Sequence, residues 1–193
     1  MRTVAVVAVY ALFDEFHSIQ REVQNGMIQP WSYILAKFVL VIPVLFMFTM
    51  IALLIPSFVI QDVPWESFGE CVAIYMATMF VFESVAEVLS VAFSNVIVGM
   101  LAFICFWFDS FLFGGFLIGE EDLYWPLKLF YYIMPYGYYV RSTMYTLFQD
   151  TDFDGDLTSD QALDELNLVF PVVKNNDTVG QDIAILLAIG AVY

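Results

Sequence analysis

Basic side chains are scarce in this chain: six Lys and Arg stand against 21 Asp and Glu. A surface that neutralises phosphates needs the opposite balance, which argues against nucleic acid as a partner. There is one histidine, His17, in a polar stretch with no second ligand near it, and it reads as solvated. With that one histidine no Ser-His-Asp or Cys-His set is credible, so a hydrolytic site within the chain is not expected. The two cysteines, Cys71 and Cys105, sit in apolar runs and read as buried free thiols, with neither a disulfide framework nor a Cys-based metal site. Nothing matches Gly-x4-Gly-Lys followed by Ser or Thr, so the loop that cradles nucleotide phosphates is missing. Charge as a whole is sparse at 14% of residues, where a soluble domain carries about a quarter.

What is present instead is apolar and comes in long runs. The chain is 61% hydrophobic, with a mean hydropathy of +0.79. Runs of about 20 apolar residues are long enough to cross the hydrocarbon core of a bilayer. The fold class that follows is an all-α, polytopic membrane protein. Spans are expected near residues 34–60, 69–92 and 96–118, with partial spans at 3–13 and 182–193, each too short to cross alone. Lys37 is placed to snorkel at one end of the first full span. Residues 14–33 are polar and read as an interhelical loop with a short helix stopped by Asn25-Gly26. Residues 149–181 are polar and acidic: nine of the 21 acids lie between Gln149 and Asp182, against Lys174 alone. Lys and Arg are distributed too evenly among the short loops to fix the orientation.

Residues 113–148 carry the densest pattern. An apolar run ends in Gly114-Gly115-Phe116-Leu117-Ile118, and the acidic link Glu120-Glu121-Asp122 follows. Next come Trp125, Tyr131-Tyr132-Ile133, Pro135 and Tyr138-Tyr139. Aromatic side chains crowd here as they do at a membrane interface, and Pro135-x-Gly137 breaks the segment into two short helices. This stretch resembles the exit of the fifth span and the re-entrant hairpin of the ABC transporter G subfamily, whose membrane domain is of the ABC-2 type (type V exporter-like). Arg21, Glu22, Gly26 and Met27, followed by Tyr33, Ala36 and Pro43, match that subfamily's loop after the second span. Glu83-Ser84, Asn95 and Gly99 resemble its plant lipid-exporting branch.

The resemblance implies a re-entrant hairpin at 121–148, a coupling loop docking on a nucleotide-binding domain, and ATP and Mg held by that partner rather than by this chain. It implies a second transmembrane half, identical or not, and a substrate slot between the halves for a hydrophobic compound or lipid. Counted back from the Gly-Gly motif, Trp107, Phe108 and Phe111 fall on the slot and Phe116 and Leu117 on the exit valve, where a leucine pair is usual. The residues alone leave the loop at Arg21–Met27 open between a coupling element and a solvated link.

Three carboxylates, Glu83, Glu87 and Asp109, lie within the spans, and no basic residue stands between Lys37 and Lys128. A charge at mid-membrane costs roughly 2.5–3.5 kcal/mol on insertion scales. Glu83 and Glu87 share a helix face. The readings are a hydrated path or proton site, or hydrogen bonds to Ser84, Ser90 or neighbouring helices; for Asp109, exposure to a cavity. Asn176-Asp177-Thr178 is an N-glycosylation sequon. Asp150, Asp152, Asp154, Gly155 and Asp156 fit the opening of an EF-hand calcium loop, but position 12 is Gln161 and Asp160 comes one residue early. The alternative is a solvated acidic loop. Two rival functions remain at this level: a secondary transporter or channel subunit working through the carboxylates, or a membrane scaffold presenting the acidic loop.

Overall fold

The computed structural model describes residues 2–60, 63–115, 117–149 and 158–192. Every regular element among them is helical, as the apolar runs predict. In order they are α1 (Arg2–Gln24), α2 (Pro30–Ile55), α3 (Trp65–Ala92), α4 (Val96–Phe113), α5 (Lys128–Ile133), α6 (Pro135–Phe148), α7 (Ser159–Val169) and α8 (Val179–Val192). A wider π-helical turn, Pro56–Ile60, prolongs α2. Three helical stretches are long and apolar enough to cross a membrane: Pro30–Phe58, Trp65–Ala92 and Val96–Phe113. At 1.5 Å per residue the shortest, α4, covers about 27 Å.

The polar stretch expected as loop 14–33 is mostly helix. α1 continues to Gln24 because Leu12, Phe16, Ile19 and Val23 repeat at helical spacing and stay on the packed side. The connection proper is residues 25–29. The acidic segment 149–181 also contains a helix, α7. Thr158 starts it by accepting from the Gln161 N–H, while the Gln161 side chain accepts from the Thr158 N–H. Ala162 and Leu163 turn inward from α7, and Leu163 joins Val172, Val173 and Val140 of α6 in a small core on the hairpin side.

α3 is the centre of the bundle. It touches α1, α2, α4, α6 and α8, and its inward residues Ala77, Val81, Phe82, Val85 and Ala86 meet Leu12, Phe103 and Leu186. α2 is the opposite case. Only Leu45 and Thr49 of that helix are buried, and most of its other apolar side chains are exposed. A helix apolar all round with one thin contact line is at home against lipid tails. Cys71 is buried in α3, as its apolar run suggests, but Cys105 is exposed on α4. An apolar run does not say which of its faces finds protein, and Cys105 falls on the outward one.

The glycines of the dense motif act by letting backbones cross. A Cβ on Gly137 would come 2.9 Å from the Gly114 carbonyl oxygen, and one on Gly114 would come 3.1 Å from the Gly137 nitrogen. Gly115 has φ +75°, and a Cβ there would meet Tyr131 at 2.8 Å and Val172 at 3.0 Å. The end of α4 and the start of α6 thus touch main chain to main chain. Gly137→Ala should lower stability by about 1–3 kcal/mol, since the obstacle is backbone and cannot swing away. Gly69→Ala, which has open space around it, should not. Thermal unfolding of the purified protein in detergent separates the two, and an unchanged melting point for Gly137→Ala would disprove the crossing.

Candidate functional site

α1 ends on a left-handed residue. Gly26 has φ +70°; its N–H donates to the Val23 carbonyl at 3.0 Å, and the Met27 N–H to the Glu22 carbonyl at 3.0 Å. This pair of bonds is a Schellman stop, and it needs glycine for its backbone rather than for space, since nothing lies near a Cβ there. The stop turns Arg21 and Met27 outward; Met27 is 76% exposed and Trp31, just beyond it, 80%. Glu22 is half-buried. The elbow therefore carries an exposed guanidinium beside two exposed large apolar side chains, on one side of the spans.

On α4 the residues expected to form the slot divide between two faces. Trp107 and Phe111, four apart, stack with ring centroids 6.3 Å apart, and Phe111 lies edge-on to Tyr136 at 5.4 Å. Trp107 also packs against the central core. Phe108 is rotated about 100° from Trp107 and about 60° from Phe111, because a helix turns once in 3.6 residues, and it is 53% exposed. With Ile97, Leu101, Ile104, Cys105 and Asp109 it forms one exposed stripe along α4. Leu117 is exposed past the helix end, and Phe116, its expected valve partner, lies outside the described residues.

The three intramembrane acids are not brought together. Glu83 and Glu87 lie toward the last turns of α3, near the elbow, while Asp109 lies near the far end of α4. Glu87 has a basic partner after all: Lys37 of α2 reaches it at 3.1 Å. The snorkelling expected of Lys37 is replaced by this pair, because α2 and α3 run antiparallel and bring positions 37 and 87 to one level. The serines do not bond the carboxylates. Ser84 donates to the Phe80 carbonyl at 3.0 Å and Ser90 to the Glu87 backbone carbonyl at 2.7 Å. Asp150, Asp152, Asp154 and Asp156 lie outside the described residues, and Gln161 is engaged in the cap of α7. Asn176 is exposed just before α8; the Thr178 hydroxyl of its sequon donates to Asp182 at 3.2 Å.

The hairpin is α5 and α6, six and 14 residues long, separated at Met134. Ser110 of α4 accepts from the Tyr136 N–H at 3.2 Å and so satisfies one free donor at the start of α6. In the link before α5, the Glu120 carboxylate accepts from the Tyr132 hydroxyl and from Lys128 at 3.1 Å. The Tyr132 bond first, and Lys128 second, hold Glu120 below its ordinary value of 4.5. A lowered carboxylate pKa adds stability that is present above 4.5 and fades as pH falls through the folded value. Glu120→Gln should thus lower stability at pH 7, by under about 1 kcal/mol for so exposed a cluster, and make no difference near pH 3. A pH series of thermal unfolding checks it, and an equal loss at both pH values would contradict the assignment.

The strongest polar contact was not foreseen. Arg141 of α6 grips Asp182 of α8 with both ends of its guanidinium, Nε at 2.9 Å from Oδ2 and Nη2 on Oδ1. Ser142 adds a bond at 2.8 Å, and Asp182 is fully buried. A sequence signal existed: Arg141 is the sole basic residue of α6, and Asp182 the sole acid of α8. Breaking a buried pair from one side costs about 3–5 kcal/mol because a charge is left unmatched. Asp182→Ala should show that loss, and Arg141→Met combined with Asp182→Leu much less than the two single losses summed. Additive losses in thermal unfolding would mean that the two residues are not coupled.

Over residues 3–148 the sequence matches the family model described as ABC-2 type transporter. No curated protein matches the chain. The matched stretch takes in the elbow, all three long apolar helices and the α5–α6 hairpin, so the protein is integral to a membrane and a membrane component of a transporter. Membrane domains of this kind typically pair with an ATP-binding domain. With three-quarters of its length inside the match, the chain belongs to the ABC-2 type transporter family.

Proposed function

We propose that this chain is the C-terminal part of the membrane domain of a G-subfamily exporter that moves hydrophobic compounds or lipids. ATP, with Mg, is hydrolysed in a nucleotide-binding domain outside the chain, and two membrane halves, identical or not, enclose the slot. The observation that carries this reading is the α5–α6 pair: two helices too short to span, broken at Met134–Pro135 and seated on the Gly114–Gly137 crossing. A hairpin that enters and leaves on one side is what the subfamily resemblance implies for residues 121–148. The elbow supplies the coupling surface in this reading, with Arg21, Glu22, Gly26 and Met27. Phe108 and Asp109 face the slot, whereas Trp107 and Phe111 shape it from behind. Leu117 with Phe116 forms the exit valve, Asn176 is a glycan site on the outer face, and the Asp150–Asp156 run is a solvated acidic loop, with a weak external calcium site as the alternative. The membrane is the plasma membrane or an organellar one.

The complete transporter, reconstituted with its nucleotide-binding domain in vesicles, tests the reading. Transport should follow ATP and ignore an imposed proton gradient. Glu22→Ala should abolish substrate-stimulated ATPase activity while leaving membrane insertion intact, and Phe108→Ala should change substrate affinity or range by removing an exposed aromatic face. Transport driven by the proton gradient without ATP would instead favour a secondary transporter using the carboxylates. Intact stimulated ATPase in Glu22→Ala would remove the coupling assignment.

A further inference from the structure

A half-open cavity of about 850 Å³ is formed by one chain, between α1, α2, α3 and α8, away from the exposed stripe of α4. That volume is in the range of small-molecule sites. Its lining is mostly apolar, with four aromatic rings: Phe16, Tyr33, Phe38 and Phe80. Three charged side chains line it, Lys37, Glu83 and Glu87. Lys37 is committed to Glu87 at 3.1 Å. Tyr33, the ring nearest the elbow, donates its hydroxyl to Glu15 at 2.9 Å. Glu83 has neither an ion pair nor a hydrogen bond among the described residues. Lys37 is near enough to act on Glu83 through space as well, so two carboxylates share one ammonium and the cavity keeps a surplus of one negative charge among aromatic faces.

We propose that this cavity binds a lipophilic organic cation, its apolar body against the aromatic rings and its charge beside Glu83. Two independent features select that chemistry. A carboxylate in apolar surroundings gains most from a counter-charge that arrives with the ligand, because water solvates it poorly there. Aromatic faces attract cations through their quadrupole, and most strongly where water is scarce. An anionic ligand would meet two carboxylates offset by one ammonium, and a neutral one would leave the surplus charge unmatched. The cavity also includes Gln24 and Pro30, which flank the α1–α2 elbow, so an occupant would bear on the helix ends that hold the elbow. The site does not depend on the slot or on the subfamily reading.

The test uses the full chain in nanodiscs of zwitterionic lipid, with tritiated tetraphenylphosphonium as the probe. Saturable binding near one probe per chain is expected, displaced by decyltrimethylammonium and not by decyl sulfate. Glu83→Gln should weaken binding by about tenfold or more, and Glu83→Asp should keep it within about threefold. Because Glu83 has no partner to lose, Glu83→Gln should melt no lower than the natural protein, which separates a lost ligand contact from misfolding. Ala191→Phe, on an exposed position of α8 at the cavity wall, should abolish binding by filling the space with Glu83 left in place. Glu66→Gln, an exposed acid at the other end of α3, should change nothing. Absence of saturable binding would mean that lipid or another segment fills the cavity. Binding of natural strength in Glu83→Gln or Ala191→Phe would place the probe elsewhere, and either result overturns the proposal.

Discussion

The α6–α8 connection rests on a fully buried carboxylate whose partners all come from short range on two helices. Asp182 takes Arg141 in a two-pronged grip, Ser142 from the same turn of α6, and Thr178 from the residues before α8. A buried ion pair is weak evidence for net stability, since desolvation offsets much of the attraction. Its value here is registry. α6 and α8 are 14 residues each, too short to be held by lipid exposure alone, and their apolar faces would tolerate sliding by a turn. The grip allows one register. That register sets α8 along α3, where Leu186 fills the core beside Val81 and a Gly190 Cβ would come within 2.7 Å of Phe80. It also sets α6 against α4, where Gly137 and Gly114 cross.

Charged groups at membrane depth are managed by three different devices. Asp182 is neutralised and fully bonded. Glu87 is paired to Lys37 across two antiparallel spans but remains partly open. Glu83 is left in a cavity with no partner, and that difference is what makes it chemically informative. A uniform rule that intramembrane acids are structural, or that they are functional, would misjudge at least one of the three. The deciding quantity is whether each carboxylate already has a counter-charge of its own.

Much of the fold could be read from the chain because the relevant signals were local. The long apolar runs gave the spans, Asn25-Gly26 marked the end of α1, and Pro135-x-Gly137 marked the break in the hairpin. Gly114-Gly115 could be read without coordinates as the end of an apolar run and Gly137 as part of the hairpin break; that these residues are the two sides of one backbone crossing could not. What stayed hidden depends on tertiary register. Arg141 and Asp182 are 41 positions apart, and Lys37 and Glu87 are 50, so no spacing rule links them. Cys105 and Phe108 were misplaced or merged with their neighbours because an all-apolar run conceals which face is inward. The helical continuation of α1 through residues 14–24 was masked by polar composition, although its apolar positions keep the helical repeat.

The two exposed apolar surfaces are not equivalent, and one carboxylate distinguishes them. The outward side of α2 carries Leu35, Val39, Phe46 and Ile51 with no acid among them. The outward stripe of α4 carries Phe108 and Asp109 side by side. Asp109 lies four residues from the end of α4, about 6 Å along the axis, so it sits below the membrane surface rather than at it. Against lipid tails an ionised carboxylate costs up to roughly 2.5–3.5 kcal/mol, falling toward the interface, and no lysine or arginine of α4 is there to match it. Water or a polar protein surface removes that penalty, and lipid does not. The α4 stripe is therefore the one of the two suited to face a hydrated slot or a second membrane half. The outward side of α2, with no charge to protect, is suited to face the bilayer. This asymmetry supports the proposed assignment of Phe108, rather than the packed Trp107 and Phe111, to the slot.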